Sequence, residues 1–130
     1  MGRINGKDIP FIGRQFLAGK VIAGRVYPEF FPLKATDVVI NIGCGLGPQA
    51  VVYRNQYSRM VGVDVSEARL RFSASVLATE YGVHNYETVC ADVENIPLPS
   101  ASFDKAIAID IIEHVKNPLR MLAEARRILR

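Results

Sequence analysis

Asp37-Val38-Val39-Ile40-Asn41-Ile42-Gly43-Cys44-Gly45-Leu46-Gly47 is the stretch that decides the fold. Residues 37–42 form a short, mostly β-branched apolar run, which reads as a buried strand. Glycines at 43, 45 and 47 then make a turn that a bulkier sequence would resist. Pro48 is acceptable in the first turn of a helix, predicted over residues 48–57. Strand, glycine turn and helix together open a βαβ unit.

The same alternation continues downstream. Met60-Val61-Gly62-Val63-Asp64 reads as a second strand. Ser66 can N-cap a helix that runs to about Tyr81 and stops at Gly82. Tyr86–Cys90 is a third strand, and a loop with Pro97 and Pro99 leads to a fourth, Asp104–Ile109. Asn117-Pro118 opens a last helix, with Leu119, Leu122, Ala125, Ile128 and Leu129 expected on one stripe. Alternating strands and helices of these lengths predict an α/β fold: a parallel sheet with helices on both faces.

Upstream the pattern is weaker. Residues 1–10 form a polar lead-in, and Phe11, Phe16, Leu17, Val21, Ile22 and Val26 carry helical spacing interrupted by Gly13, Gly19 and Gly24. Pro28 and Pro32 end any helix there. The expected organisation is a helical or irregular lead-in over 1–36 and one nucleotide-binding unit over 37–130.

Composition narrows the function classes. The chain has 130 residues, 49% hydrophobic and 22% charged, as an ordinary globular protein does. No apolar run approaches the roughly 20 residues of a membrane span. The N-terminus has no apolar h-region, and Gly6 stands where a myristoylation signal wants serine or threonine. Cys44 and Cys90 make neither a disulfide framework nor a metal cluster, so a cytoplasmic setting is expected. The net charge of +3 is too mild to argue for nucleic acid. Arg120, Arg126, Arg127 and Arg130 cluster on the last helix, but few aromatics are interleaved for base stacking. They suit the negative end of a helix dipole equally well.

Candidate chemistry gathers at the carboxyl ends of the strands, where open α/β sheets bind ligands. The glycine turn lets backbone approach a ligand closely. Its third glycine comes at the fifth position rather than the sixth, which departs from the dinucleotide fingerprint and argues against a nicotinamide enzyme. Asp64 ends the second strand about twenty residues beyond the turn, where a carboxylate can accept both ribose hydroxyls of an adenosine; it can also cap the following helix. Asp92, just past the third strand, can accept from an exocyclic adenine amine, while the Val93 N–H meets a ring nitrogen. A solvated loop acid is the plainer reading of Asp92 alone.

In combination the motifs become specific. Val39–Gly47, Val61–Asp64, Ala91–Pro99 with Ser102-Phe103-Asp104, and Ile112-Glu113-His114-Val115 followed by Pro118 and Leu122–Leu129 stand in order. Over about residues 37–130 the chain resembles class I, Rossmann-like S-adenosylmethionine-dependent methyltransferases, the broad group that includes the ubiquinone and menaquinone biosynthesis enzymes. The resemblance implies four strands in the order 3-2-1-4 and S-adenosyl-L-methionine as cofactor. It implies that Gly43, Cys44, Gly45 and Gly47 line the methionine and ribose portion. Asp64 would hold the ribose, Val65 border the adenine, Asp92 and Val93 read its edge, and Asp110 lie near the methionine and the acceptor entrance. No catalytic residue is assigned, because the family works mainly by aligning the nucleophile with the sulfonium methyl.

Two positions depart from the family. Asn41 stands where an acid usually helps place the cofactor's amino group; it keeps the hydrogen-bonding shape without the charge, so an aspartate there is expected to tighten binding. Alternatively, Asn41 only satisfies loop backbone. The sequence also stops at the last helix, where the family continues into further strands. That leaves the fourth strand as an expected open edge, a place for self-association through that strand or the last helix. His114, beside Glu113, is the one candidate for acid–base work, although ordering the helix start is the better account of it; His84 reads as exposed. The leading expectation is an enzyme that methylates a small-molecule acceptor. The alternative is a noncatalytic S-adenosylmethionine-binding or assembly module.

Overall fold

The structure is a computed structural model that describes residues 9–23 and 27–130. Expectations for residues 1–8, Gly24, Arg25 and Val26 lie outside the described residues.

Strand β1 (Val38–Ile42) is central, because its alternate side chains are buried on both faces. It pairs in parallel with β2 (Arg59–Asp64), and β2 with β3 (Tyr86–Cys90); β4 (Lys105–Ile107) pairs with the other edge of β1. The sheet order is β3-β2-β1-β4, as the resemblance implied. Helices α1 (Ile9–Ala23), α2 (Pro48–Val52) and α3 (Glu67–Tyr81) cover one face, and α4 (Pro118–Ile128) covers the other. Leu17 of α1, Ala50 of α2, and Phe72 and Leu77 of α3 pack over Val39 and Met60. Ile40, Ile42, Val61 and Val63 point the other way, onto Val93, Ile96, Phe103, Met121 and Ile128. This alternation is the period-2 rule of strands acting on a doubly covered sheet.

The helix caps stand as read. Ser66 accepts from the Arg69 N–H at 3.3 Å, Gly82 closes α3 in the left-handed conformation, and Asn117 accepts from the Arg120 N–H at 3.2 Å.

Three details differ from expectation. Helix α2 ends at Val52 rather than residue 57, because Asn55 takes a φ of 67° and the chain turns back to place the Tyr57 hydroxyl on the Ala50 carbonyl at 3.1 Å. Strand β4 is confined to residues 105–107. Asp104 closes the ladder with its side chain, accepting the Val38 N–H at 2.8 Å, and Asp110 at φ 56° turns the chain away beyond. The inner stripe of α4 is Met121, Ala125 and Ile128, at the i, i+4, i+7 spacing of one helix face; Leu119 and Leu122, expected inside, are 78% and 49% exposed.

Below the site, Lys105 of β4 pairs with the buried Asp37 at 2.8 Å, and Asp37 also accepts the Lys34 N–H. The Lys105 contact is the first reason that the Asp37 carboxyl lies below its ordinary range. Among the described residues no helix is long and apolar enough to cross a membrane.

Candidate functional site

A cleft of about 840 Å³ opens at the carboxyl ends of β1, β2 and β4. Its volume falls in the range of about 300–1,000 Å³ usual for small-molecule sites. The glycine turn forms the floor. Asp64, Val65 and Arg69 make one wall, Asp92–Glu94 another, and Ile109–Ile111 with Glu113–Lys116 the third. Gly13, Phe16, Leu17 and Lys20 of α1 close it from above.

The turn is fixed by backbone. The amides of Gly43 and Cys44 both donate to the Val63 carbonyl, at 2.8 and 3.1 Å, and the Gly45 N–H donates to Asp64 Oδ2 at 2.9 Å. All three glycines have left-handed φ, between 55° and 79°. They are there for different reasons, however. A Cβ on Gly43 would come within 2.5 Å of Ile111, and one on Gly47 within 3.0 Å of Leu77. A Cβ on Gly45 would meet nothing within 4 Å. Only Gly45 therefore keeps open cleft space clear; Gly43 makes room for the β4 exit, and Gly47 packs against the core and does not line the cleft.

Asp64 is buried, and each carboxylate oxygen accepts one backbone amide: Gly45 N–H on Oδ2, and Ser66 N–H on Oδ1 at 2.9 Å. An ionised carboxylate has about four acceptor sites, so two remain for a ligand. The cap of α3 itself is Ser66, so Asp64 steadies the approach to the helix rather than capping it. Val65 stands at the lip, 70% exposed. Across from it Asp92 is exposed and accepts the Glu94 N–H at 2.8 Å, while Val93 buries its side chain in the lower core. The Val93 N–H has no acceptor among the described residues.

Cys44 lines the floor but is chemically quiet. Burial pushes its thiol up to about 12, so it stays neutral. It sits with the buried Tyr86 hydroxyl over Gly62, where any Cβ would collide with both. Asn41 does not line the cleft: it is 1% exposed and donates to Gln49 Oε1 at 2.9 Å, so it reaches the cleft only through Gln49. At the far wall Asp110 lies 3.7 Å from Lys20. His114 lies at the rim, its side chain 71% exposed and 3.6 Å from Glu113. His84 is exposed, away from the cleft.

Sequence reasoning missed the contribution of α1, and Phe16 and Lys20 with it. Lys20 stacks its ammonium 5.3 Å from the Phe16 ring centroid. Their i, i+4 spacing marks one helix face but gives no sign that this face overlooks the cleft. Gln49 and Arg69 were also missed; both depend on how the helices dock.

Comparison with known proteins gives one consistent result. Residues 40–130 match the family model described as a methyltransferase domain. The chain is 31% identical over 106 residues to the 27-O-demethylrifamycin SV methyltransferase of Amycolatopsis mediterranei, covering 76% of this chain and 37% of that protein. It is 31% identical over 91 residues to a ubiquinone biosynthesis O-methyltransferase of Parvibaculum lavamentivorans, covering 70% of this chain and 35% of the relative. It therefore spans about a third of the length of these relatives. A crystal structure of a SAM-dependent methyltransferase from Aquifex aeolicus superposes with a TM-score of 0.70 at 19% identity, over 98% of this chain and 69% of the other, which shows the shared fold.

Proposed function

The chain belongs to the methyltransferase-domain family, and on that premise we propose that its cleft binds S-adenosyl-L-methionine and serves methyl transfer to a small-molecule acceptor. The observation that carries this reading is Asp64: a buried carboxylate fixed by the Gly45 amide at the mouth of an open glycine turn. The donor set fits the cofactor. Asp64 has acceptor capacity left for two ribose hydroxyls, Gly45 faces open space, and the Val93 N–H beside Asp92 offers the donor and acceptor pair that an adenine edge needs. When bound, the cofactor supplies an electrophilic methyl group on a sulfonium.

The protein's own part is to bind and align. Asp64 orients the ribose, Asp92 and Val93 the base, and Val65 offers the base an apolar lip. Asp110, on the far wall, stands toward the methionine end and the acceptor entrance. Holding an acceptor in line with the methyl group is worth up to about 7–11 kcal/mol without any catalytic base. His114, at the exposed rim, is not needed for this step. The named relatives act on small molecules by their names, which supports the same class of acceptor here. A reducing compartment suits the two free thiols. Self-association through the β4 edge or α4 remains part of the proposal, with Leu119 and Leu122 as its exposed apolar surface.

Calorimetric titration with S-adenosylhomocysteine tests the reading. Hydrogen bonds to a charged group contribute about 1.5–3 kcal/mol, so Asp64→Ala is expected to weaken binding roughly tenfold or more. An unchanged dissociation constant would remove Asp64 from the site, and no binding by the native chain would remove the cofactor assignment.

A further inference from the structure

Two of the three arginines of α4, Arg120 and Arg127, are engaged by the neighbouring loop. Arg120 Nε donates to the Glu94 carbonyl at 3.2 Å. Arg127 donates to the carbonyls of Ile96 and Leu98, at 2.8 and 2.9 Å, and forms a two-point ion pair with Glu124 at 2.8 and 3.0 Å. Glu124 in turn accepts the Ile96 N–H at 2.7 Å. Both polar groups of Ile96 are thus held by one ion pair, as a neighbouring strand would hold them. The Ile96 side chain is buried against the same helix, beside Met121 and Ile128.

What this pair holds is the far end of a cleft wall. Residues 92–95 form a closed turn: the Asn95 N–H donates to the Asp92 carbonyl at 3.0 Å, and the Glu94 N–H to the Asp92 side chain. The near end is tied to the ribose side of the cleft, since the Ala91 N–H donates to the Asp64 carbonyl at 3.0 Å. The far end is Ile96. A turn with two fixed ends and internal bonds has little freedom left, and its Asp92 and Val93 line that wall of the cleft.

We propose that Glu124 and Arg127 are positioning residues for base recognition: by holding Ile96 from both sides, their ion pair fixes the Asp92–Asn95 turn and so sets the selectivity of the cleft for an adenine edge. This rests on the cofactor reading above. The ionised state of the pair is supported by Glu124, whose carboxyl is held below its ordinary 4.5 chiefly by Arg127 and further by the Ile96 amide. Fork geometry matters here, because the guanidinium serves two carbonyls and both carboxylate oxygens at once, four acceptors, and an ammonium has only three donors.

The test compares two ligands that differ only at the base edge: S-adenosylhomocysteine and S-inosylhomocysteine, in which the 6-amine is replaced by oxygen. Each is titrated calorimetrically into the native chain, Glu124→Gln, Arg127→Lys and the control Arg126→Lys, on the same last turn, with circular dichroism confirming that every form is folded at the working temperature. The native chain is expected to prefer the adenine ligand. Glu124→Gln and Arg127→Lys should lower that preference about threefold or more, mostly by weakening the adenine ligand, and Arg126→Lys should leave it alone. Amide exchange without ligand should accelerate at Ile96 and Asn95, whose N–H groups are bonded in this turn, in both variants but not at Gly45. A purely structural role would weaken both ligands equally, and equal weakening, or an unchanged preference, overturns the proposal. Should one variant fail to fold, the other decides. Loss of preference in Glu124→Gln with Asp64→Ala still weakening the native site separates failure of the pair from failure of the cofactor reading: an inert Asp64→Ala, or no binding at all, sinks the latter and this inference with it.

Discussion

The glycine turn and the β4 exit face each other across the cleft, and they are built by opposite means. Residues 43–47 are held by amide bonds to Val63 and to the Asp64 side chain, both on the inner strand β2, with Cys44 buried beneath. Residues 108–116 leave a three-residue edge strand, pass through a left-handed Asp110, and form a single 3₁₀ turn (Ile112–His114) with no buried residue. One tie to α1 is the Lys20–Asp110 pair at 3.7 Å. The first wall is fixed by backbone and the second is lightly held; on the proposed function the first would take the constant cofactor portion and the second the acceptor.

The two regions meet at Gly43, and breaking that contact is expected to have the largest effect. Gly43→Ala forces a left-handed φ on a residue with a Cβ and drives that Cβ to 2.5 Å from Ile111. Backbone strain of about 1–2 kcal/mol and overpacking of about 1–3 kcal/mol together predict a loss of roughly 2–5 kcal/mol. Gly45→Ala carries the strain alone, because its Cβ enters open space. Chemical unfolding should therefore rank Gly43→Ala well below Gly45→Ala in stability, while S-adenosylhomocysteine affinity falls in Gly45→Ala. The reverse stability order would show that the β4 exit yields freely and that the contrast between the walls is overstated.

This contrast also marks how far the sequence could be read. The preorganised wall is local: a strand, glycines at alternate positions, an aspartate at the end of the next strand, and Ser66 and Gly82 at the ends of one helix are all signals within a few residues. The four strands and their order follow from the same signals and the family pattern. Elsewhere the information lies in docking. The length of β4 depends on where the chain leaves the ladder, before Asp110 turns it away. Met121 takes the inner position on α4 in place of Leu119 and Leu122 because orientation is set by the loop that Arg127 and Glu124 hold, not by which residue is the more apolar. Phe16 and Lys20 reach the cleft only because α1 packs on α2 and α3. The glycines were legible as a motif, but their three separate reasons were not.

Asn41 sharpens the comparison with a middle-sized effect. An acid here is expected on family grounds to tighten cofactor binding, but its burial argues the other way. An aspartate would lose the Nδ2 donor and keep a bond only if Gln49 turns its amide to donate, and at 1% exposure its charge would have no water. Leaving a buried polar group poorly partnered costs about 1–3 kcal/mol, so Asn41→Asp should lower stability by that order. Burial raises the folded-state pKa of such an acid above its unfolded value, so the native state binds more protons and stability falls as pH rises. The loss should accordingly be larger at pH 8 than at pH 5 in unfolding experiments. If S-adenosylhomocysteine binds tighter to the variant with no loss of stability, Gln49 has passed the charge on to the ligand and the preorganised wall extends down to Asn41.

Lys20 carries the smallest expected effect and tests the lightly held wall directly. Its ammonium is 3.7 Å from Asp110 and 5.3 Å from the Phe16 ring centroid, with side chains 28% and 44% exposed in the ion pair. Pairs of this kind are worth about 0–1 kcal/mol, and salt screens them further. Lys20→Met keeps the apolar stem against Phe16 while removing the charge. Stability should change by less than about 1 kcal/mol, and the difference from the native chain should shrink as salt is raised. S-adenosylhomocysteine affinity should change little, since the Asp64 and Asp92 walls are untouched and only the weak Lys20 pair with Asp110, at the methionine end, is lost. Amide exchange is the sensitive readout: residues 110–114 should open faster in the variant, while Cys44 and Gly45 keep the native rate. Equal acceleration at the glycine turn would mean that the two walls move as one unit, and the division between a fixed cofactor side and a yielding acceptor side would fail.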